Sequence, residues 1–238
     1  MDNSAKVFVM LPTLNEGTNI SPLLTRLLEI DEISKIMVID DGSTDGTAER
    51  ARDMAATTDR VELVERAGKK GRGAAGREGF QRALVSGAEY LVEMDADLSH
   101  DPEYIPKLLD VARKSDLVVG SRFVPGGFDE RRSPVRRLIS VLARIFIQSV
   151  LGVKVKDPTS GFRCFTRKAL ERIDPSTLRS CTPSIVLESL YRAVLGGLSI
   201  IEVPIVYRQR AGERSKLTIG TLASCVADVV RLRISKGK

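Results

Sequence analysis

Val7-Phe-Val-Met-Leu11 and Ile36-Met-Val-Ile39 are unbroken apolar runs, each followed by turn residues and then by helical spacing. A strand with one wet face alternates apolar and polar residues, whereas a run that is apolar throughout fits a strand covered on both faces. The pattern repeats along the chain. Ile20, Leu23, Leu24, Leu27 and Leu28 carry helical spacing after the first run, and a helix is predicted over about 47–56 after the second. Val61–Val64, Tyr90–Met94 and Leu117–Val119 read as further short strands, with helices over 71–86 and 102–113 between them. Short buried strands alternating with helices call for right-handed crossovers and a mainly parallel sheet, so the predicted fold class is α/β. Beyond Gly120 the pattern predicts a helix over 131–151, a loop over 153–161 and a strand over 162–165. A helix over 184–195, a strand over 199–207 and a last helix over 217–234 with a basic end follow.

In open sheets of this kind ligands gather at the carboxyl ends of the strands. Three acidic clusters fall there: Glu16, Asp40 with Asp41, and Asp95 with Asp97. Side chains alternate along a strand, so Asp95 and Asp97 are expected to point the same way at the end of the fourth. Two such carboxylates repel unless they share a cation, and Mg2+ or Mn2+ is held by one or two carboxylates plus the oxygens of a substrate phosphate. The plainer alternative is an acidic turn that caps the next helix. Asp40-Asp-Gly-Ser-Thr-Asp-Gly-Thr47 has the same two readings. It is either a turn capped by Ser43, Thr44 or Asp45, or a site where a carboxylate accepts from a base N–H or a ribose hydroxyl.

Cations are set against these acids. Lys69-Lys-Gly-Arg-Gly-Ala-Ala75 places three basic residues at a helix N-terminus, suited to a diphosphate or equally to solvent. Arg208, Arg210, Arg214 and Lys216 cluster after a strand, either solvated or as a clamp on phosphate oxygens. Gly120-Ser-Arg122 followed by Gly126-Gly127 suggests a mobile flap, and Asp157-Pro-Thr-Ser-Gly-Phe-Arg163 is a polar, turn-rich connection. His100 is the only histidine and reads as the residue leading into the next helix. No Ser/His/Asp or Cys/His set can be assembled, which argues against a hydrolase triad.

The net charge of +6 favours anionic partners, while an aromatic content of 5% with no Trp argues against a base-stacking nucleic-acid module. The three cysteines lack metal or redox spacing and suit a reducing cytoplasm. No stretch offers the ~18 consecutive apolar residues of a membrane span. The helix over 131–151 carries Val135, Leu138, Ile139, Leu142, Ile145, Phe146 and Ser149 on one broad face, widened by Val141, Ile147 and Val150. Arg131, Arg132, Arg136, Arg137 and Arg144 form its edge. Such a helix either lies in an anionic membrane interface or packs in the core with a solvated basic side.

The ordered set Leu11-Pro-Thr-Leu-Asn-Glu16, Val38-Ile-Asp-Asp-Gly-Ser-Thr-Asp-Gly-Thr47 and Met94-Asp-Ala-Asp-Leu-Ser-His-Asp-Pro102 continues with Gly120-Ser-Arg-Phe-Val-Pro-Gly-Gly127, Asp157-Pro-Thr-Ser-Gly-Phe-Arg163 and Ser215-Lys-Leu217. Together, over roughly residues 6 to 217, these resemble the family 2 glycosyltransferases of GT-A fold, and within them the dolichyl-phosphate (polyprenyl-phosphate) mannose synthases.

The resemblance implies a single GT-A, Rossmann-like domain over 1–238. Its nucleotide-binding half would span about 6–122 and its acceptor and membrane-facing half about 123–238, with amphipathic interface helices. It implies GDP-mannose as donor and dolichyl or another polyprenyl phosphate as acceptor. Pro12, Leu14, Glu16, Ile39 and Asp41 would surround the guanosine. Asp95, Ala96 and Asp97 would hold a Mg2+ or Mn2+ ion and the diphosphate, with Ser99 at a further metal position. Arg122 would face the reacting phosphates, and Arg210 and Lys216 would grip the lipid phosphate or the donor diphosphate. Asp97 and Arg122 are thus the expected catalytic pair. Three positions depart from the family pattern: Leu14 stands where Tyr is usual, Ser99 where some members carry Gln, and Arg210-Ala-Gly-Glu-Arg-Ser-Lys216 is one residue longer between Gly and Ser. A lipid phosphate is ionised near pH 7 and attacks without a base, so displacement opposite the diphosphate would give a β-linked product. The expected place is peripheral, at the cytoplasmic face of a membrane, attached directly or through a separate anchoring subunit. The rivals are a UDP-glucose-dependent polyprenyl-phosphate glucosyltransferase, an enzyme acting on a saccharide or protein hydroxyl that would need a base, and a non-catalytic nucleotide-sugar-binding subunit.

Overall fold

Both faces of the first apolar run are used. In the computed structural model, which describes residues 5–68, 70–130, 134–208 and 219–235, β1 (Val7–Thr13) is buried along its whole length. Val7, Val9 and Leu11 enter one hydrophobic cluster, while Phe8 and Met10 enter another on the opposite face. α1 (Ile20–Leu28) closes the first cluster with Ile20, Leu23, Leu24 and Leu27, each worth about 1.5–3 kcal/mol when fully buried. β2 (Ile33–Asp40) divides its side chains in the same way, Ile36 and Val38 to one cluster and Met37 and Ile39 to the other. α2 (Thr47–Thr57) returns the chain to β3 (Val61–Glu65).

α3 (Arg72–Val85) covers the second face. It lies so close to the sheet that a Cβ at Gly79 would sit 2.0 Å from Met10 Sδ. β4 (Tyr90–Glu93), a 3-10 turn over Pro102–Tyr104 and α4 (Ile105–Ala112) lead to β5 (Leu117–Ser121). The rest comprises β6 (Phe128–Asp129), α5 (Pro134–Leu151), β7 (Arg163–Thr166), α6 (Arg167–Ile173), α7 (Ile185–Leu195), β8 (Ile200–Pro204), β9 (Val206–Tyr207) and α8 (Ile219–Ile234).

The main sheet has the order β3-β2-β1-β4-β7-β5-β8. β7 runs antiparallel to both β4 and β5, and the other pairings are parallel. The expected α/β fold with a mainly parallel sheet is therefore present, as a single domain. Ile147 and Leu151 of α5, Leu187 and Tyr191 of α7, and Val229 and Leu232 of α8 build a third, smaller core.

Several expectations shift. The strand expected over 199–207 breaks at Ile205. Pro204 has no N–H for the ladder, and Ile205 donates to Ser121 O while accepting from Phe128 N, passing the chain from the main sheet to the β6–β9 pair. α6 was not anticipated: seven residues are too few for a periodic signal, yet Thr166 caps it by accepting from Ala169 N at 3.1 Å. Gly126-Gly127, read as a flap, is a hydrogen-bonded turn, with Gly127 N donating to Val124 O at 2.8 Å. The helix over 131–151 is described from Pro134, and its first four side chains, like residues 131–133, lie outside the described residues. Its apolar residues do not form one face: Ile147 and Leu151 turn into the third core, whereas Leu138, Leu142 and Ile145 are exposed.

Candidate active site

β4 ends at Glu93, so Asp95 and Asp97 stand on the loop beyond it and strand alternation is not what orients them. Local hydrogen bonds do that instead. Asp97 Oδ1 accepts the N–H of Ser99 at 2.9 Å and its hydroxyl at 2.5 Å. Leu98 adopts φ 62 to make this tight return. Asp95 N–H donates to His100 Nδ1 at 3.2 Å. The imidazole stacks on Phe162 at 5.1 Å and meets the edge of Tyr207 at 5.5 Å. Burial lowers its pKa to about 4, against a partial opposing pull from Asp95. The lone histidine is therefore a neutral acceptor that shapes the acidic loop.

A pH dependence follows. The unfolded imidazole binds a proton near its ordinary value of 6.5, while the folded one stays neutral to about 4. Between those limits the unfolded state holds more protons, so stability is intact above pH 6.5 and is lost as the pH falls toward 4. The expected loss is on the order of 2–3 kcal/mol. Urea midpoints measured from pH 7 to 4.5 should fall more steeply for wild type than for His100→Gln; equal slopes would show that His100 is not the source.

Arg72, the first residue of α3, meets this loop from the other side. Its Nη1 lies 2.8 Å from Glu93 Oε1 and its Nη2 lies 3.4 Å from Asp95 Oδ1. The Asp157–Arg163 loop closes over both: a Cβ at Gly161 would stand 3.4 Å from Asp95 Oδ1 and 3.5 Å from Arg72 Nη2. The loop backbone therefore passes within van der Waals reach of the Asp95 carboxylate, whose side chain remains 30% exposed. Among the described residues no three His, Cys, Asp or Glu side chains gather into a ready metal cage. A loop with one part-exposed carboxylate, Asp95, and a second, Asp97, buried two residues on suits a hard cation that completes its shell with substrate oxygens, and does not suit a closed structural site. Ser99 is buried behind Asp97, with its hydroxyl proton committed to it.

Arg122 is held by a fork-to-fork pair with Asp157, its Nε and Nη2 donating to Oδ2 and Oδ1 at 2.7 Å each. Asp157 is buried, which would raise its pKa, but the bonds and charge of Arg122 hold the carboxyl below the usual range. Glu202 accepts from Asp157 N at 2.9 Å and Lys156 N at 2.7 Å, fixing the loop further. Arg163, wholly buried, donates to the carbonyls of Ser160 and Pro158 at 2.8 Å and to that of Val186. Burial lowers its pKa to about 10. On α5, Arg144 stacks over Phe123 at 4.9 Å, and Arg122 lies 5.2 Å from the same ring.

Around the first two strands the doubled aspartate separates into two tasks. Asp40 accepts from Gly42 N and Ser43 N at 2.9 Å each and so folds the turn. Asp41 binds Arg66 and accepts from Gly71 N. Asp45 acts as a tether, accepting from Gly17 N at 2.8 Å, while Gly46 precedes α2 as its cap. Glu16 accepts from Asn19 Nδ2 at 2.8 Å, Leu14 is exposed, and Pro12, Ile39 and Ala96 are buried. Ile39 has no exposed surface, so it backs the strand ends from the core. The N-terminus of α3 is not open to a ligand at Gly73, whose N–H donates to Cys181 O at 3.0 Å. Arg208 is anchored to this region, 2.9 Å from Asp101 and donating its N–H to Ser99 O at 3.0 Å. Arg210, Arg214 and Lys216 lie outside the described residues, as does Lys69.

Sequence reasoning missed Glu93, the pairings of Arg72 and Arg122, and the staple made by Arg163. One signal was present: Glu93 is a charge inside an otherwise apolar strand, and such a residue needs a buried partner.

A family model described as Glycosyl transferase family 2 matches residues 8–174. The chain is 41% identical over 216 residues to the polyprenol monophosphomannose synthase of Mycolicibacterium smegmatis, covering 90% of this chain and 81% of the relative. It is 34% identical over 224 residues to the dolichol-phosphate mannosyltransferase of Saccharomyces cerevisiae, covering 90% and 82%. Among solved structures, glucosyl-3-phosphoglycerate synthase from Mycobacterium tuberculosis with Mn2+, UDP-glucose and phosphoglyceric acid superposes with a TM-score of 0.70 over 98% of this chain and 80% of that one. At 21% identity that likeness speaks to the fold alone.

Proposed function

The chain belongs to glycosyl transferase family 2 and is a glycosyltransferase, and from that premise we propose that it transfers mannose from GDP-mannose to a polyprenyl phosphate with inversion at the anomeric carbon. The observation that carries this reading is the state of His100. The chain's one histidine is buried, neutral and occupied by Asp95 N–H, and Asp157 is locked to Arg122. Neither is placed to take a proton from a sugar hydroxyl, whereas a lipid phosphate arrives already ionised and asks for none. The names borne by relatives at 34–41% identity support the same acceptor class.

In this reading Leu14 and Glu16 flank the nucleoside, backed by Pro12, Ile39 and Asp41. Ala96 and the two carboxylates beside it face the diphosphate, and Arg122 faces the reacting phosphates. Arg210 and Lys216 supply further cations. A Mg2+ or Mn2+ ion on Asp95 and Asp97, with Ser99 behind, would offset charge on the departing diphosphate. Residues up to about 122 serve the nucleotide, and those beyond it the acceptor and membrane.

Attachment to an anionic membrane surface at its cytoplasmic face is supported by two exposed stripes: Leu138, Leu142 and Ile145 on α5, and Val226, Val230 and Ile234 on α8. The two helices pack side by side, Arg231 and Arg233 lie in the last turn of α8, and the net charge is +6. Arg144 continues this surface toward Arg122 through Phe123. No helix among the described residues is long and apolar enough to cross a membrane.

The test gives the purified protein anionic vesicles carrying dolichyl phosphate, Mn2+, and labelled GDP-mannose or UDP-glucose. Labelled lipid from GDP-mannose, and protein that floats with the vesicles, are the expected results. Label from UDP-glucose alone would overturn the donor assignment, and protein left at the bottom of the gradient would overturn direct attachment.

A further inference from the structure

We propose that Arg72 is a cation of the diphosphate subsite and that Glu93 is the positioning residue that holds it there, an inference that rests on the nucleotide-sugar donor proposed above. Glu93 is wholly buried at the end of β4, one residue short of the acidic loop. A carboxylate there costs several kcal/mol without a partner, and an apolar residue at the same place would usually be no less stable than the ion pair. Stability alone therefore does not account for it; geometry does. Glu93 takes one end of the guanidinium, Nη1 at 2.8 Å, from the core side. The other end, Nη2, reaches the part-exposed Asp95 carboxylate at 3.4 Å, close beneath the backbone of Gly161.

A guanidinium is a planar fork. When one nitrogen is fixed, the direction of the remaining N–H groups is fixed too, and phosphate oxygens match that fork well. Among the described residues, two other guanidiniums near this loop already have protein partners. Arg122 is bound at two nitrogens by Asp157, and Arg163 is enclosed by carbonyls. Arg72 is the described guanidinium that both touches the Asp95 carboxylate and retains some exposure. A diphosphate entering in front of Asp95 meets its Nη2 first.

Calorimetric titration of the full chain with GDP, UDP and guanosine, in Mg2+, tests this for Arg72→Ala, Arg72→Lys and Glu93→Gln. The expected result is a loss of GDP affinity of at least about tenfold for Arg72→Ala, a smaller loss for Arg72→Lys, which restores charge without the fork, and a clear loss for Glu93→Gln. Guanosine, which lacks the diphosphate, should bind all four proteins alike and so reports an intact fold. GDP affinity for Arg72→Ala within twofold of wild type, or a parallel loss for guanosine, would overturn the inference. Binding of UDP in place of GDP, still weakened by Arg72→Ala, would leave the inference standing and remove the guanosine donor. No binding of either diphosphate by wild type would remove both.

Discussion

Asp97→Asn is expected to lower transfer to the lipid phosphate by about a hundredfold to a thousandfold, the scale seen when one stabilising group is taken from a developing charge. The substitution changes charge and little else. The amide oxygen of the new side chain can still accept the Ser99 N–H and hydroxyl that now bond Asp97 Oδ1, so the loop keeps its shape. The loss should appear in the rate of labelled lipid formation, while the thermal midpoint moves by no more than a few degrees. Activity within tenfold of wild type would show that Asp97 does not carry the charge assigned to it. A collapse in stability equal to the loss of activity would show that its part is to hold the loop together.

Arg163→Met is expected to destabilise the fold by roughly 3–5 kcal/mol, the usual cost of removing one partner from a buried charged network. Methionine fills a comparable volume but removes the guanidinium that donates to the carbonyls of Pro158, Ser160 and Val186, the last of which keeps its bond from Ser189. It also removes the cation opposite Glu93 in the β4–β7 register. Denaturant unfolding measures this directly, and a change below about 1 kcal/mol would contradict it. Transfer by the surviving folded fraction should also fall, because two of the carbonyls stapled by Arg163, those of Pro158 and Ser160, belong to the loop that presents Asp157 to Arg122 and Gly161 to Asp95.

How much of this was legible in the sequence depended on distance along the chain. Runs such as Val7–Leu11 announce a doubly covered strand because burial on both faces leaves no other pattern. The acidic and glycine-rich turns mark the strand ends for the same local reason. Pairings made across the fold leave no local trace. Arg122 and Asp157 both stood out as members of motifs, but nothing in a linear chain says that they form one bidentate pair. Ser99 entered as a metal position through the family resemblance alone, and its hydroxyl bond to Asp97 is a local contact that the resemblance does not show. On α5 the sequence displayed apolar residues on nearly every side, and only packing against α7 and α8 decides that Ile147 faces inward and Leu142 outward.

The antiparallel strand β7 has a consequence for the order in which the molecule is assembled. It separates β4 from β5 in the sheet, yet it is translated after both. Until residue 166 has left the ribosome, β4 and β5 have no neighbour to share and the emerging half exposes two unfinished edges. Closing that gap joins segments far apart in the chain, which slows folding and prolongs the exposure of those edges to aggregation. The same late event brings Asp157, Gly161 and Arg163 to the carboxylates of β4 and its loop. Assembly of the acidic loop and the joining of β4 to β5 therefore arrive together, with β8 still to be added at the far edge.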